Sequence, residues 1–307
     1  MRRAWIRLLL LLATLTGAMP YARAADTLLV LSDGAPAYEQ TARRIKDRLA
    51  ESRPSVSVES VPIAQITSAL LARATLVVTI GTRAAEVVVG RHQPDRLICA
   101  LLTHQTYTRL PRVRSGAQRS AVYIDQPASR QLALIRAALP GTERIAMVFS
   151  AASRTYVDDM QTVANDAGIT LRSALIDEDT PLYNALRDVL DPDGVLVAVP
   201  DTSVYNNFTI QNILLTAYRE RTPVIGFSPA YVRAGAILAV YSTPEQVGDQ
   251  VARVVDSALS GNPLPAPAYP VRFSVSTNPH VARSLSLELP TPGALEASIR
   301  RTEGDQP

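Results

Sequence analysis

Cysteine is nearly absent. Cys99 is the only one in 307 residues, so no disulfide framework is available, and a protein of this size must be held by its core. It sits in the apolar run Leu97-Ile98-Cys99-Ala100-Leu101, which suits a buried thiol better than a reactive one. No cysteine lies near the N-terminus to carry a lipid. Histidine is as sparse: His92, His104 and His280 stand apart, with no companion at metal-ligand spacing, so no metal site is expected. Lys46 is the only lysine, Trp5 the only tryptophan, and aromatic residues make up 5% of the chain. Neither a G-x-x-x-x-G-K-[ST] loop nor a G-x-G-x-x-G turn occurs after the first strand, where Ser32-Asp33-Gly34-Ala35-Pro36 stands instead. No nucleotide, and no other cofactor, is expected.

Long apolar runs are also missing. The longest, Leu8 to Met19, falls well short of the roughly 20 residues needed to span a bilayer. It follows Arg2, Arg3 and Arg7 and precedes Ala22-Arg23-Ala24, the pattern of a secretory signal peptide over residues 1–24 with cleavage after Ala24. The expected location is therefore the periplasm. Excess charge of one sign is lacking too. The formal charge of +3 owes four arginines to that segment, and without them 31 basic residues fall to near parity with 28 acidic ones. No nucleic-acid footprint remains.

What is present is a repeated alternation of short aliphatic runs, turns and segments with helical spacing, which predicts parallel sheets covered by helices. Strands are expected at Thr27 to Ser32, Ser55 to Ser60, Thr75 to Ile80, Leu97 to Leu102 and Ala121 to Ile124. In Tyr38 to Glu51, Ala42, Ile45 and Leu49 mark the buried stripe of an amphipathic helix. The pattern restarts after Pro127 and includes a helix over Ser203 to Arg219 and strands at Pro223 to Phe227, Ala236 to Tyr241 and Pro270 to Ser276. Pro290 to Pro307 reads as a polar, loose tail.

Two kinds of chemistry compete for the strand ends. Gly226-Phe227-Ser228-Pro229-Ala230 follows a strand, with Asp249 or Asp256 and then His280 downstream, in the Ser, Asp, His order of a hydrolase nucleophile elbow. Pro229, however, has no N–H to donate to an oxyanion, and losing one such donor costs about a hundredfold or more in rate. An enzyme is not expected. Elsewhere the strand ends carry Ser32, Gly81-Thr82, Thr103, Ser150 with Arg154, Asp201-Thr202 and Ser228, groups that suit a small polar ligand held without being transformed. Ser, Thr and Asp at such points also cap helices. Gly81-Thr82 fits either an anion resting on free N–H groups or a tight strand-to-helix turn. Arg154 is suited to pairing with a carboxylate, and Tyr205 and Tyr241 to an aromatic wall or to core packing.

Val199-Pro200-Asp201-Thr202-Ser203-Val204, Thr222-Pro223-Val224-Ile225-Gly226-Phe227, Ala234-Gly235-Ala236-Ile237-Leu238-Ala239 and Ser276-Thr277-Asn278-Pro279-His280-Val281-Ala282-Arg283 stand in an order that resembles the ABC-transporter substrate-binding proteins of the tryptophan and tyrosine type. The first half is similar through Val78-Thr79-Ile80-Gly81-Thr82, but carries Thr103-His104-Gln105 where the family often has a Thr-Asp-Pro-like turn. The resemblance implies a type I periplasmic-binding-protein fold, with two Rossmann-like lobes joined by three crossovers near Tyr123, Tyr241 and Tyr269. On that reading the first lobe comprises residues 25–122 and 243–269, the second 123–242 and 270–290, and 291–307 is a flexible tail. Ser32, Gly81, Thr82 and Thr103 would form one wall of the cleft, and Ser150, Asp201, Thr202 and Ser228 the other. The implied function is capture of a small polar solute, an amino acid being the first candidate, for delivery to an ABC permease by a monomeric protein. The alternative is a periplasmic sensor or accessory protein of the same fold. On this reading, replacing Asp201 with Ala weakens ligand binding and leaves the ligand-free midpoint nearly intact.

Overall fold

In the computed structural model, which describes residues 26–304, the first sheet is built from short strands whose central members are buried on both faces. The expected signal segment lies outside the described residues. The strands are β1 (Thr27–Leu31), β2 (Val58–Pro62), β3 (Leu76–Ile80), β4 (Arg96–Ala100) and β5 (Gln118–Val122), connected by α1 (Pro36–Ser52), α2 (Ser68–Arg73), α3 (Thr82–Arg91) and α4 (His104–Arg109). All pairings are parallel, in the order β2-β1-β3-β4-β5. Leu28 and Val30 point to one apolar cluster and Leu29 to the other, as the two-residue period of a strand dictates. Cys99 is fully buried, and burial pushes its thiol up to about 11, so it is a packing residue.

The second half repeats the scheme with α5 (Ala128–Ala138), β6 (Arg144–Phe149), α6 (Arg154–Asp166), β7 (Thr170–Leu175), α7 (Leu182–Val189), β8 (Gly194–Val197), α8 (Ile210–Arg219), β9 (Val224–Gly226), α9 (Pro229–Ala234), β10 (Leu238–Tyr241), α10 (Pro244–Leu259), β11 (Ser274–Thr277), α11 (Pro279–Ser284) and α12 (Pro292–Gly304). The sheet order is β11-β10-β9-β8-β6-β7, parallel except that β11 runs antiparallel to β10 at the edge. Both sheets therefore reverse direction beside their first strand, between β1 and β3 and between β6 and β8. Ligands of open parallel sheets settle outside the carboxyl ends at such points.

Two helices cross over to complete a core laid down earlier in the chain. α10 follows β10 but buries Val247, Val251 and Val255 against the first sheet. It lies so close to α1 that a Cβ on Gly248 would stand 2.9 Å from Arg44 Cβ and 3.1 Å from the carbonyl oxygen of Thr41. α12 occupies the stretch expected to be a loose tail. Leu295 and Ile299, four residues apart, fill the second core beside α5, and Glu296 accepts the N–H of Val275 at 3.0 Å. That i, i+4 pair outweighs the prolines and polar residues around it. The helix expected from Ser203 begins only at Ile210, because Asp201 and Thr209 close the preceding residues into turns.

The crossovers are wired together by buried polar side chains. Gln126 Nε2 donates to Ser242 Oγ at 3.0 Å, and Ser242 Oγ donates to the carbonyl of Arg272 at 2.6 Å. Arg130 donates to Gln126 Oε1 and to the carbonyl of Pro270, both at 2.7 Å, and to Glu303 on α12 at 2.5 Å. All three crossovers and α12 thus share one hydrogen-bonded chain, in which each buried polar group finds a partner.

Candidate functional site

The carboxyl ends of the two sheets face each other across a narrow crevice. One compartment, of about 40 Å³, lies among Asp125, Gln131, Tyr156, Val199 and Phe227. A second, of about 20 Å³, lies among Thr103, His104, Asp125, Ser153 and Tyr156. The lobes touch at its rim, where Arg109 and Gln105 of the first donate to the carbonyl of Ala151 in the second at 2.7 and 3.4 Å. A larger hollow of about 700 Å³ lies at the amino ends of β6, β8 and β9 and contains none of the expected site residues.

Several of the expected residues are turned inward by the sheet topology. At the first reversal point Ser32 is 3% exposed and its Oγ accepts the N–H of Ala84 at 2.9 Å, which caps α3. Gly81 has φ +95°, and a Cβ there would stand 2.5 Å from Ser32 Oγ and 2.8 Å from Tyr38 Cζ. The hydroxyl of Ser32 and the ring of Tyr38 thus close over this glycine, as in a tight strand-to-helix turn, while Thr82 stays half-buried as the first residue of α3. Gly81→Ala should cost more than about 1 kcal/mol through strain and clash. Urea denaturation reads this directly, and a midpoint equal to wild type would refute it.

Asp201 occupies the matching place at the second reversal point. Its Oδ2 accepts from Ser150 N at 2.9 Å, Ser150 Oγ at 2.8 Å and Ser153 Oγ at 2.5 Å, and its Oδ1 accepts from Ser203 N at 3.0 Å. Only 3% exposed, it joins the loops after β6 and β8. Thr202 is exposed beside it. Tyr205 is buried, donating to the carbonyl of Val148 at 3.1 Å and packing edge-on to Phe227 and Tyr231, so it supports the wall from beneath. Arg154 is exposed, with its guanidinium 5.4 Å from the ring centroid of Phe149. Tyr241 pairs with Ser276 at 2.9 Å on the sheet edge. Thr103 caps α4 through the N–H of Thr106 and lines the crevice as well.

The hydrolase elements are not brought together. Ser228 caps α9, Asp249 pairs with Arg44 at 2.7 Å and with Arg272 at 3.5 Å, and His280 contacts Arg283. No hydrogen bond joins these three among the described residues.

The central residue of the crevice is one that sequence reasoning passed over. Asp125 follows β5 at the first crossover, is 8% exposed and lines both compartments. The N–H of His104 bridges its two oxygens at 3.0 and 3.2 Å. Burial pushes this carboxyl up to about 7, against a smaller opposing pull from backbone N–H groups. Because the folded value is raised, the associated stability is complete below about pH 4 and is lost as the pH rises through about 7. Around Asp125, His104 packs against Tyr123 and Tyr269 at 5.1 and 5.7 Å between ring centroids, and the Tyr269 hydroxyl meets His104 Nδ1 at 3.3 Å. Burial also raises Tyr156 well above its usual value, with a further push from Asp125. The available signal was an aspartate directly after a buried strand, in Tyr123-Ile124-Asp125-Gln126-Pro127.

The family described as ABC transporter substrate binding protein matches residues 45–282. No curated protein sequence matches. Among solved structures, an ABC domain from Streptococcus pneumonia in complex with L-Trp is 19% identical with a TM-score of 0.62, covering 86% of this chain and 96% of that one. A conserved domain protein from Vibrio cholerae is 20% identical with a TM-score of 0.62, covering 91% and 98%. The ligand-free, open form of a substrate binding protein with adhesive properties from Clostridium difficile is 14% identical with a TM-score of 0.70, covering 86% and 96%. These likenesses establish the two-lobed fold of periplasmic binding proteins.

Proposed function

Because the chain belongs to the ABC transporter substrate-binding protein family, we propose that it captures a small polar solute between its lobes and delivers it to an ABC permease. The observation that carries this reading is the crevice itself, a buried polar centre at Asp125 where the carboxyl ends of both sheets meet. An amino acid is the first candidate solute, supported by the L-Trp held by the similarly folded Streptococcus domain. Export to the periplasm and action as a monomer belong to the same proposal.

The mechanism requires no chemical step. A solute settles on one lobe, and the other then adds hydrogen bonds that favour the closed form, which the permease recognises by its shape. Thr103 and Ser153 stand on opposite sides of the crevice, and Ser153, its proton given to Asp201, has only lone pairs left to offer a solute. Thr82, Thr202 and Ser228 line neither compartment.

A thermal-shift screen of the purified protein against amino acids, small peptides, carboxylates, sugars and nucleosides tests the reading. A solute that binds only the native state adds about 2.7 kcal/mol at a hundred times its dissociation constant. The expected result is a rise in midpoint with one chemical class. Folded protein that responds to no class would refute solute capture.

A further inference from the structure

The inner compartment of the crevice has acceptors that lack a matching donor. Asp125 lines it, and no ion pair reaches that carboxylate among the described residues. Its contacts are backbone N–H groups, chiefly that of His104 shared between both oxygens. Gln131, on α5, lines the same compartment. It is 3% exposed, and its Oε1 is buried with no donor among the described residues. Most of the remaining lining, including Ile124, Val199, Phe227 and Val240, is apolar and competes for neither oxygen.

A buried carboxylate without a counter-charge and, on the lining of the same compartment, a glutamine whose carbonyl oxygen lacks a donor define what is missing there. Hydroxyl groups supply one proton and bring lone pairs of their own. An ammonium group supplies three N–H donors, has no acceptor and carries the charge that Asp125 lacks. The compartment, at about 40 Å³, has room for such a head and its first carbon, with the rest of the molecule lying between the lobes. We propose that this compartment is the seat for the ammonium group of a protonated amine, with Asp125 as counter-ion and Gln131 Oε1 as second acceptor. The proposal rests on the reading of the crevice as a solute site and specifies the class of solute.

The electrostatic surroundings agree. Asp125 is faced by His104 from α4, Tyr123 from the first crossover, Tyr156 and Asp159 from α6, and Tyr269 from the third crossover. None of these is an arginine or a lysine, and His104 Nδ1 is engaged with Tyr269. Burial holds the Asp125 carboxyl up near 7 without a partner. An ammonium ion placed beside it would favour the ionised form and release a proton.

Matched probes test this: L-alanine with propionate and ethylamine, and L-phenylalanine with 3-phenylpropionate and phenethylamine. Each is screened by thermal shift against wild type, Asp125→Asn and Gln131→Leu, alongside neutral sugars and nucleosides. At least one amine-bearing probe should raise the wild-type midpoint while its amine-free partner does not. In Asp125→Asn the affinity for that probe should fall about tenfold to a hundredfold, the usual value of a hydrogen bond to a charged group. The ligand-free midpoint of this variant should be equal to or above wild type, since a buried charge has been removed, which separates lost binding from lost folding. An equal shift from an amine-free partner, wild-type affinity in Asp125→Asn, or a response confined to sugars or nucleosides would overturn the ammonium seat and leave solute capture standing. No response from any probe would overturn solute capture and the ammonium seat with it.

Discussion

Replacing Asp201 with Ala is expected to lower the thermal midpoint of the ligand-free protein by about 5–10 °C, whatever its effect on binding. The substitution strands the N–H of Ser150, the N–H of Ser203 and the hydroxyls of Ser150 and Ser153, all of which converge on this one carboxylate. Hydrogen bonds to a charged group are worth about 1.5–3 kcal/mol each, and some of the stranded donors recover water because the loop lies at the rim. A net loss of about 2–4 kcal/mol results, which a protein of this size shows as several degrees. This differs from the expectation from sequence, in which Asp201 faces the ligand and its loss leaves the ligand-free midpoint nearly intact. Asp201→Asn should fall between the two, since one oxygen remains to accept and the new NH₂ opposes a donor. Scanning calorimetry decides the matter, and a midpoint within a degree of wild type would return Asp201 to the list of direct ligand contacts.

Deleting residues 291–307 should cost about 10 °C in midpoint, the second large effect. The segment carries α12, whose Leu295 and Ile299 are buried in the second core, and fully burying such a side chain is worth about 1.5–3 kcal/mol. The deletion also removes Glu303 from Arg130, a guanidinium whose side chain is only 7% exposed and which stacks 4.4 Å from the ring centroid of Phe273. Arg130 would then keep its bonds to Gln126 and Pro270 but lose its counter-charge, a costly change for a buried ion. Because these groups join the crossovers, the truncated protein should also open its lobes more readily. Small-angle scattering would report this as a larger radius of gyration. A truncated protein that melts with the parent would show that the segment contributes nothing, as expected of a loose tail.

Much of this protein is determined locally and is legible residue by residue. The aliphatic runs of β1, β3, β4 and β6 bury both faces, and the stripe of Ala42, Ile45 and Leu49 packs inward as its spacing requires. Burial of a strand or helix face depends on side-chain periodicity, and periodicity is written in the chain. The two-lobed α/β architecture follows from the alternation of such elements. The crevice is another matter. Polar residues at strand ends satisfy either a ligand or a neighbouring loop, and the sequence is the same in both cases. Sheet order made the choice, by setting β1 beside β3 and β6 beside β8. Ser32 could then reach the N–H of Ala84, and Asp201 could reach Ser150 and Ser153, so these groups were used up in holding loops together. Asp125 and Gln131 were left in the opening, with few donors within reach. The chain alone determined which strand and helix faces are buried in the two sheets, though not the burial of α12; the tertiary structure decided which polar groups satisfy one another, because hydrogen-bond partners about fifty residues apart are assigned only by the way the strands are ordered.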